Sequence, residues 1–253
     1  MERGLVEDLD RSIASFFPEL PKNSALQKIK IRDVLDMTSG LDADTDDPRT
    51  VGHFSQWIAK ANWTEALLRV PLARPPGKTF VYADLNPSLI GAIIEKRSGM
   101  SLEAFARKHL FGPLGIQQLY WYSNRSGQTA PAGNLYLTTL DFARLGSLVL
   151  NEGVWKGQRI IGAAYIERLM RHSIDIEGDN PFADRYGMFW YRGMKRYQKK
   201  SIDIVFASGN GGNVLAVIPE LETVIAVTSS AYGQGYGHQR SHNVISRIID
   251  ALR

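Results

Sequence analysis

The sequence predicts an α+β fold in which a helical part precedes an antiparallel sheet. Apolar residues recur at helical spacing, with capping residues and glycine stops, over roughly residues 31–172. From about residue 186 the pattern changes to β-branched and aromatic runs separated by turn residues, and the last stretch returns to helical spacing. No internal repeat or low-complexity linker interrupts the chain. One domain over 1–253 is therefore the economical organisation, with a helical lobe at about 31–172 and a strand meander plus closing helix at about 186–253.

Leu5, Leu9, Ile13 and Phe16-Phe17 recur at helix-like spacing until Pro18 and Pro21, so the chain is expected to begin inside or just after a helical element. Residues 31–37 read as a short amphipathic helix stopped at Ser39-Gly40. The acidic stretch 42–47 reads as a loop, and Thr64-Glu65 as the opening of another helix. In Asn86-Pro87 the Asn is expected at the N-cap and the Pro at the first helical position, launching Leu89, Ile90, Ile93 and Ile94 toward Gly99. Ser101 caps the next helix, which stops before Gly112-Pro113. Thr138 with Asp141 resembles a capping box for a helix running to Gly153, and 162–171 is a weaker helix. Strands are expected at 188–191, 202–207, 213–218 and 223–229, the last three as an antiparallel meander. Val244, Ile245, Ile248, Ile249 and Leu252 mark the closing helix.

Composition excludes several classes. With 44% hydrophobic and 22% charged residues the chain is an ordinary globular one, and the absence of Cys removes disulfides, thiolate metal sites and Cys nucleophiles together. The charge of +4 is spread out. Its only dense basic run, at 192–200, reads as a solvated loop rather than a polyanion site, so no nucleic acid is expected as partner. No apolar stretch approaches a membrane span, and Met1-Glu2-Arg3-Gly4 lacks the apolar core of a signal peptide. As given, the chain reads as cytoplasmic; an upstream signal peptide would make it periplasmic or secreted, so the compartment stays open. Gly209, Gly211 and Gly212 do not complete a dinucleotide fingerprint, because Val214 occupies the place of the third Gly. His238 and His242 share a helix face, but Gln239 replaces the metalloprotease Glu and no third ligand is evident, so both read as polar surface or cap residues. No metal and no cofactor is expected. Tyr120, Trp121 and Tyr122, and Trp190 with Tyr191, can wall a pocket but read more readily as core.

Three local patterns carry a more specific signal: Ile31-Arg32-Asp33-Val34-Leu35-Asp36-Met37-Thr38-Ser39-Gly40-Leu41, Pro76-Gly77-Lys78-Thr79-Phe80-Val81-Tyr82-Ala83-Asp84, and Phe206-Ala207-Ser208-Gly209-Asn210-Gly211-Gly212. In this order and spacing they resemble the serine β-lactamase-like hydrolases, which include class C β-lactamases, D-alanyl-D-alanine peptidases, related esterases and 6-aminohexanoate-dimer hydrolases. The resemblance covers nearly the whole chain. It implies a β-lactamase/transpeptidase-like fold, an antiparallel sheet flanked by helices with a helical lobe.

The resemblance also assigns roles. Tyr82 falls in the first place of the family's Tyr-x-Asn motif, as the phenol that shuttles a proton between nucleophile and leaving group. Asp84 stands where the family has Asn; when ionised it only accepts hydrogen bonds, which alters recognition of a substrate amide. Ala207-Ser208-Gly209 falls on the Lys-Thr-Gly motif: Gly209 would let substrate lie against the strand, and the Asn210 N–H would supply one oxyanion donor. Ala207 cannot pair with a substrate carboxylate, which disfavours β-lactams and favours neutral esters or amides. Without the resemblance, Tyr82 reads equally as a core residue after a strand-like Phe80-Val81, and 208–212 as a hairpin turn.

The family's nucleophile motif, Ser-x-x-Lys, is not in the chain. The residue three places before each Lys is Glu19, Ala25, Gln27, Trp57, Pro75, Ile93, Phe105, Gly153, Arg192, Arg196 or Tyr197. The resemblance therefore implies a chain that starts after the N-terminal strands and the nucleophile helix, a serine hydrolase without its attacking group and inactive as given. The other reading is a pseudoenzyme that keeps the pocket as a binding or scaffolding module. In either case the strand at 223–229 would lack its family partners, leaving an apolar edge open to self-association.

Overall fold

The Leu and Phe series that opens the chain forms no α-helix. The structure, a computed structural model that describes residues 3–252 and Glu177 through its backbone alone, gives this segment one 3₁₀ turn, Ile13–Phe16. Ser12 caps it, accepting from the Ala14 N–H at 3.2 Å. Leu9, Ile13, Phe16 and Phe17 are buried all the same, and the Ile13 N–H donates to the Ile29 carbonyl at 2.9 Å. Their spacing reported burial, while Pro18 and Pro21 leave too short a run for a cooperative helix.

The chain groups into two compact units, one holding the chain up to Phe111 with Tyr120–Tyr136, the other Gly112–Leu119 with the chain from Leu137 on. In the first unit α1 (Ile31–Leu35), α2 (Phe54–Trp57) and α3 (Trp63–Leu67) are single turns. The Asp33 carboxylate accepts from the Lys30 N–H ahead of α1 at 2.8 Å, and Asn62 caps α3 through the Glu65 N–H at 3.1 Å. The longer α4 (Leu85–Ser98) closes on Gly99, whose φ of 68° is the left-handed stop. Its start corrects the sequence expectation. Asp84, not Asn86, occupies the cap position, and Pro87 is the third helical residue. That place is as permissive as the first, since none of the first four N–H groups has an intrahelical acceptor. Asn86 is instead buried, its Nδ2 3.1 Å from the Met37 sulfur. α5 (Leu102–Ala106) begins as expected, with Ser101 accepting from the Ala104 N–H at 3.2 Å, and runs into a π-helical turn, Arg107–Phe111. β1 (Tyr120–Trp121) and β2 (Leu135–Tyr136) pair antiparallel.

The second unit opens with α6 (Thr139–Leu150), capped by Thr138 through the Asp141 N–H at 3.1 Å. A small hairpin of β3 (Val154–Trp155) and β4 (Gln158–Arg159) precedes α7 (Ala163–Arg171). Then come β5 (Ile174–Asn180), β6 (Ala183–Gly187), β7 (Trp190–Tyr197), β8 (Lys200–Gly209), β9 (Asn213–Ile218) and β10 (Thr223–Val227). They form one antiparallel sheet in sequence order. The expected three-strand meander is thus the end of a six-strand one. The basic run, expected as a loop, is β7 and the hairpin into β8. Its turn residues Gln198 and Lys199 take φ of 45° and 69°, the left-handed pair a tight hairpin requires, without Gly or Asn to announce it.

Helices cover the two faces of β9 and its neighbours. On one face α6 presents Gly146, where an added Cβ would lie 2.6 Å from Val224. On the other lies α8 (Gly237–Ala251), which starts earlier than its aliphatic residues indicated and buries Ser241, His242, Ile245 and Ile249. Val244 and Ile248, expected on the buried face, are 40% and 38% exposed. Among the described residues β10 pairs only with β9, and no helix is long and apolar enough to cross a membrane.

Candidate active site

In the first unit, Tyr82 is positioned by backbone lacing rather than by a strand; the segment around Phe80-Val81 carries no ladder. The Val81 N–H donates to the Met37 carbonyl at 2.9 Å, the Thr45 N–H to the Tyr82 carbonyl at 3.0 Å, and the Gly77 N–H to the Thr38 carbonyl at 2.8 Å. Residues 37–40 come this close because the chain turns left-handed there, Met37 at φ 58° and Gly40 at φ 72°. A Cβ on Gly40 would sit 2.4 Å from the Arg74 carbonyl oxygen.

Tyr82 and Asp84 share an electrostatic environment. Burial, and after it the charge of Asp84, pushes the Tyr82 phenol up to about 12, so the hydroxyl keeps its proton through neutral pH. The Asp84 carboxyl is itself raised by burial, against hydrogen bonding from Thr45 and the charges of His53. Its backbone N–H donates to Thr45 Oγ1 at 3.0 Å, so the acidic loop at 42–47 anchors the start of α4. An arrangement of this kind keeps the proton on the phenol until a strongly basic atom takes it.

In the second unit, β8 ends in Ser208 and Gly209, and the turn Asn210–Gly212 leads into β9. Gly209 pairs with Asn213 across it. Gly211 and Gly212 have φ of 85° and 86°, and a Cβ on Gly212 would lie 2.5 Å from the Gly237 carbonyl oxygen. The turn and the first turn of α8 are thus in backbone contact, tied by Ser241 Oγ donating to the Gly212 carbonyl at 2.6 Å. Gly209 differs: a Cβ there would make only ordinary contacts, with the Asn213 Cβ at 3.7 Å and the Asn213 carbonyl oxygen at 4.0 Å. No protein atom demands glycine at this position, and the strand surface above it is open.

Ser208 faces α8, where its Oγ lies 3.0 Å from His238 Nδ1. Sequence reasoning missed this pair, because the two residues are separated by 30 positions and meet only once α8 folds onto the turn. His242, read as a polar surface residue, is 1% exposed and stacked on Phe182. Tyr191 lies between Tyr186 and Phe206 in the sheet's aromatic core, at 4.7 and 5.3 Å. Trp121 is fixed by its indole N–H donating to the Ala130 carbonyl at 2.7 Å, whereas Tyr120 is 60% exposed against Tyr136. The structure therefore brings Ser208, Gly209 and Asn210 together at one turn and adds His238, and in the other unit it groups Tyr82, Asp84, Thr45 and His53. Among the described residues no cluster of three or more His, Asp or Glu is arranged to hold a metal ion.

Comparison with known proteins gives a consistent picture. The profile of the Beta-lactamase family matches residues 1–246. A "Putative D-alanyl-D-alanine carboxypeptidase" of Salmonella typhi is 29% identical over 131 residues, 50% of this chain, and the matched stretch spans only 30% of that relative. Among solved structures, the "Putative 6-aminohexanoate-dimer hydrolase from Bacillus anthracis" superposes with a TM-score of 0.77 at 20% identity, covering 98% of this chain and 67% of that one. The octameric penicillin-binding protein homologue from Pyrococcus abyssi superposes with a TM-score of 0.69 at 20% identity, covering 96% and 61%. At such identities the structural likeness shows the fold, β-lactamase/transpeptidase-like with its antiparallel sheet and helices. The profile match over nearly the full length decides the family: this chain belongs to the β-lactamase family, and the hydrolases of that family are its kin.

Proposed function

We propose that these residues belong to an acyl-transfer hydrolase acting on an ester or amide rather than a β-lactam, with Tyr82 as proton carrier and the Gly209 turn as part of the oxyanion cradle. The observation that carries this reading is the open strand end at Gly209, where no protein atom requires glycine but an acyl group lying along β8 would. The Asn210 N–H supplies a donor toward the developing oxyanion. Tyr82, protonated at neutral pH, delivers its proton to the leaving group; a cation beside it would be needed before it served as a base. Ala207 offers no ammonium for a carboxylate, which favours neutral substrates. Asp84 in place of Asn favours a substrate that donates to it.

No Ser or Thr in the 253 residues stands three before a Lys, so these residues alone are inactive in this reading and the attacking hydroxyl lies outside them. The same observation favours the second reading, a binding or scaffolding module. One experiment separates them. The 253-residue chain should turn over p-nitrophenyl acetate no faster than its Tyr82→Phe variant and should not react with a fluorophosphonate probe. A polypeptide extended in frame through a Ser-x-x-Lys segment should be labelled, with Tyr82→Phe lowering its kcat by about a hundredfold or more. Turnover by the short chain well above its variant would overturn the proposal. Absence of such a segment in the reading frame would leave the binding module. We further infer self-association along β10, whose outer edge has no partner strand among the described residues.

A further inference from the structure

We propose that Ser208 and His238 form a pH-gated specificity pair, in which protonation of the imidazole converts the Ser208 hydroxyl from a hydrogen-bond acceptor into a donor toward a ligand at the Gly209 turn. The inference rests on the reading of that turn as the ligand site and adds what the site selects.

The argument follows from hydrogen counting across a 3.0 Å contact. A hydroxyl has one proton to give and two lone pairs, and a neutral imidazole has one nitrogen of each kind. With His238 neutral and its proton on Nε2, Nδ1 takes the Ser208 proton, and only lone pairs on Oγ remain for a ligand. Such a site suits an amide N–H or a hydroxyl. With His238 protonated, Nδ1–H donates to Oγ, the serine proton is released outward, and a positive charge stands behind it. That site suits a carboxylate or another anion. No heavy atom need move; a proton is added to the ring, the hydroxyl hydrogen turns outward, and the direction of the bond and the charge change. Ala207 leaves the turn without a fixed cation of its own, so the switch is not masked by a permanent charge on the neighbouring residue.

The charged and titratable groups on the elements packed around the pair are held by their own surroundings. His242, one turn along α8, is held neutral by burial, with its titration depressed to about 3. Lys195 on β7 acts on His242 as a cation and is itself lowered by burial. Arg240 on α8 is engaged by Ser229 at 2.6 Å and lies over the Tyr236 ring. Histidine is the side chain that changes charge between about pH 5 and 8.

The test uses the whole chain and two small probes, N-acetyl-D-alanine, whose carboxylate is ionised throughout the range, and its primary amide. Binding is followed through the backbone amide resonances of Ser208, Gly209 and Asn210. The affinity ratio of acid to amide should rise about tenfold from pH 8 to pH 5.5. The rise should vanish in His238→Gln and shrink in Ser208→Ala. A ratio flat with pH, or a rise that survives His238→Gln, overturns the inference. If neither probe shifts the turn, the reading of the turn as a ligand site fails and the inference falls with it; amide binding without pH dependence sinks the inference alone. Should a variant unfold, the imidazole ¹⁵N resonances of the unsubstituted chain decide: Nδ1 must be unprotonated at pH 8, and a proton found there overturns the switch.

Discussion

The imidazole of His242 lies face to face with the ring of Phe182, centroids 4.0 Å apart and planes 10° from parallel, while neither ring nitrogen has a hydrogen-bond partner among the described residues. Phe206 closes a second side edge-on at 4.9 Å. A helix thus seats an uncharged base in an aromatic slot, and acid should find it. Burial first, then Lys195 and His238, depress its titration to about 3 in the folded chain. The unfolded chain takes up that proton near pH 6.5. Stability from this residue is therefore complete above pH 6.5 and lost as pH falls toward 3, by up to about 1.4 kcal/mol per pH unit. Urea unfolding at a series of pH values should show this slope, and His242→Phe should flatten it. An unchanged acid limb in the variant would refute the assignment.

Tyr82 should ionise well above the ordinary tyrosine range. Burial first, and then the charge of Asp84, raise its phenol to about 12. Replacing Asp84→Asn removes the second cause and leaves the first, so the titration should move down without reaching the ordinary tyrosine value. The ¹³Cζ resonance of Tyr82, assigned by its loss in Tyr82→Phe, reads this directly. A midpoint that stays put or climbs in Asp84→Asn would contradict the coupling.

Gly209 at the end of β8 and Gly212 in the turn that follows should respond differently to a side chain. Gly212→Ala forces a Cβ against the Gly237 carbonyl oxygen at 2.5 Å, at a φ of 86°, and should cost about 2–4 kcal/mol by denaturant titration. Gly209→Ala meets only an ordinary contact at 3.7 Å. It should change stability by less than about 0.5 kcal/mol yet weaken binding of any ligand that lies along β8. Equal losses of stability in both would show that Gly209 is structural.

The terminal position of β10 should show in solution. Ile225 is buried, and Val224 and Val227 are half covered, but the backbone of the outer edge is unpaired by strand among the described residues. Sedimentation velocity over micromolar concentrations should reveal mass increasing with concentration. A single monomeric species across that range would remove β10 as an association surface.

The sequence announced what local chemistry alone decides. Ser101 and Thr138 cap helices because a hydroxyl one residue before the first turn has N–H groups to accept wherever it falls, and Gly99 stops α4 for lack of a Cβ. What failed to show depended on partners far along the chain. Asn86-Pro87 fits several first-turn positions, and burial beside Met37 decided among them. β5 and β6 carry Asp, Glu, Gly and Asn, residues that disfavour strands until a neighbouring strand supplies the ladder. β7 looked like a charged loop because Arg192, Lys195 and Arg196 obscure the two-residue period of Tyr191, Gly193 and Tyr197. At the candidate site the motif positions of Tyr82, Asp84, Ser208, Gly209 and Asn210 were readable from the family resemblance. His238 was not, since nothing near it in sequence names its partner. His242 was misread because a histidine in an amphipathic helix looks polar until two phenylalanines enclose it.

Every strand of the six-stranded sheet hydrogen-bonds to the strand before or after it, and all six lie within residues 174–227. Each pairing therefore closes a short loop at small entropic expense, and the ladder can grow hairpin by hairpin from one uninterrupted stretch of polypeptide. Such a sheet needs no distant segment to start its ladder, because each strand finds its neighbour across the next turn.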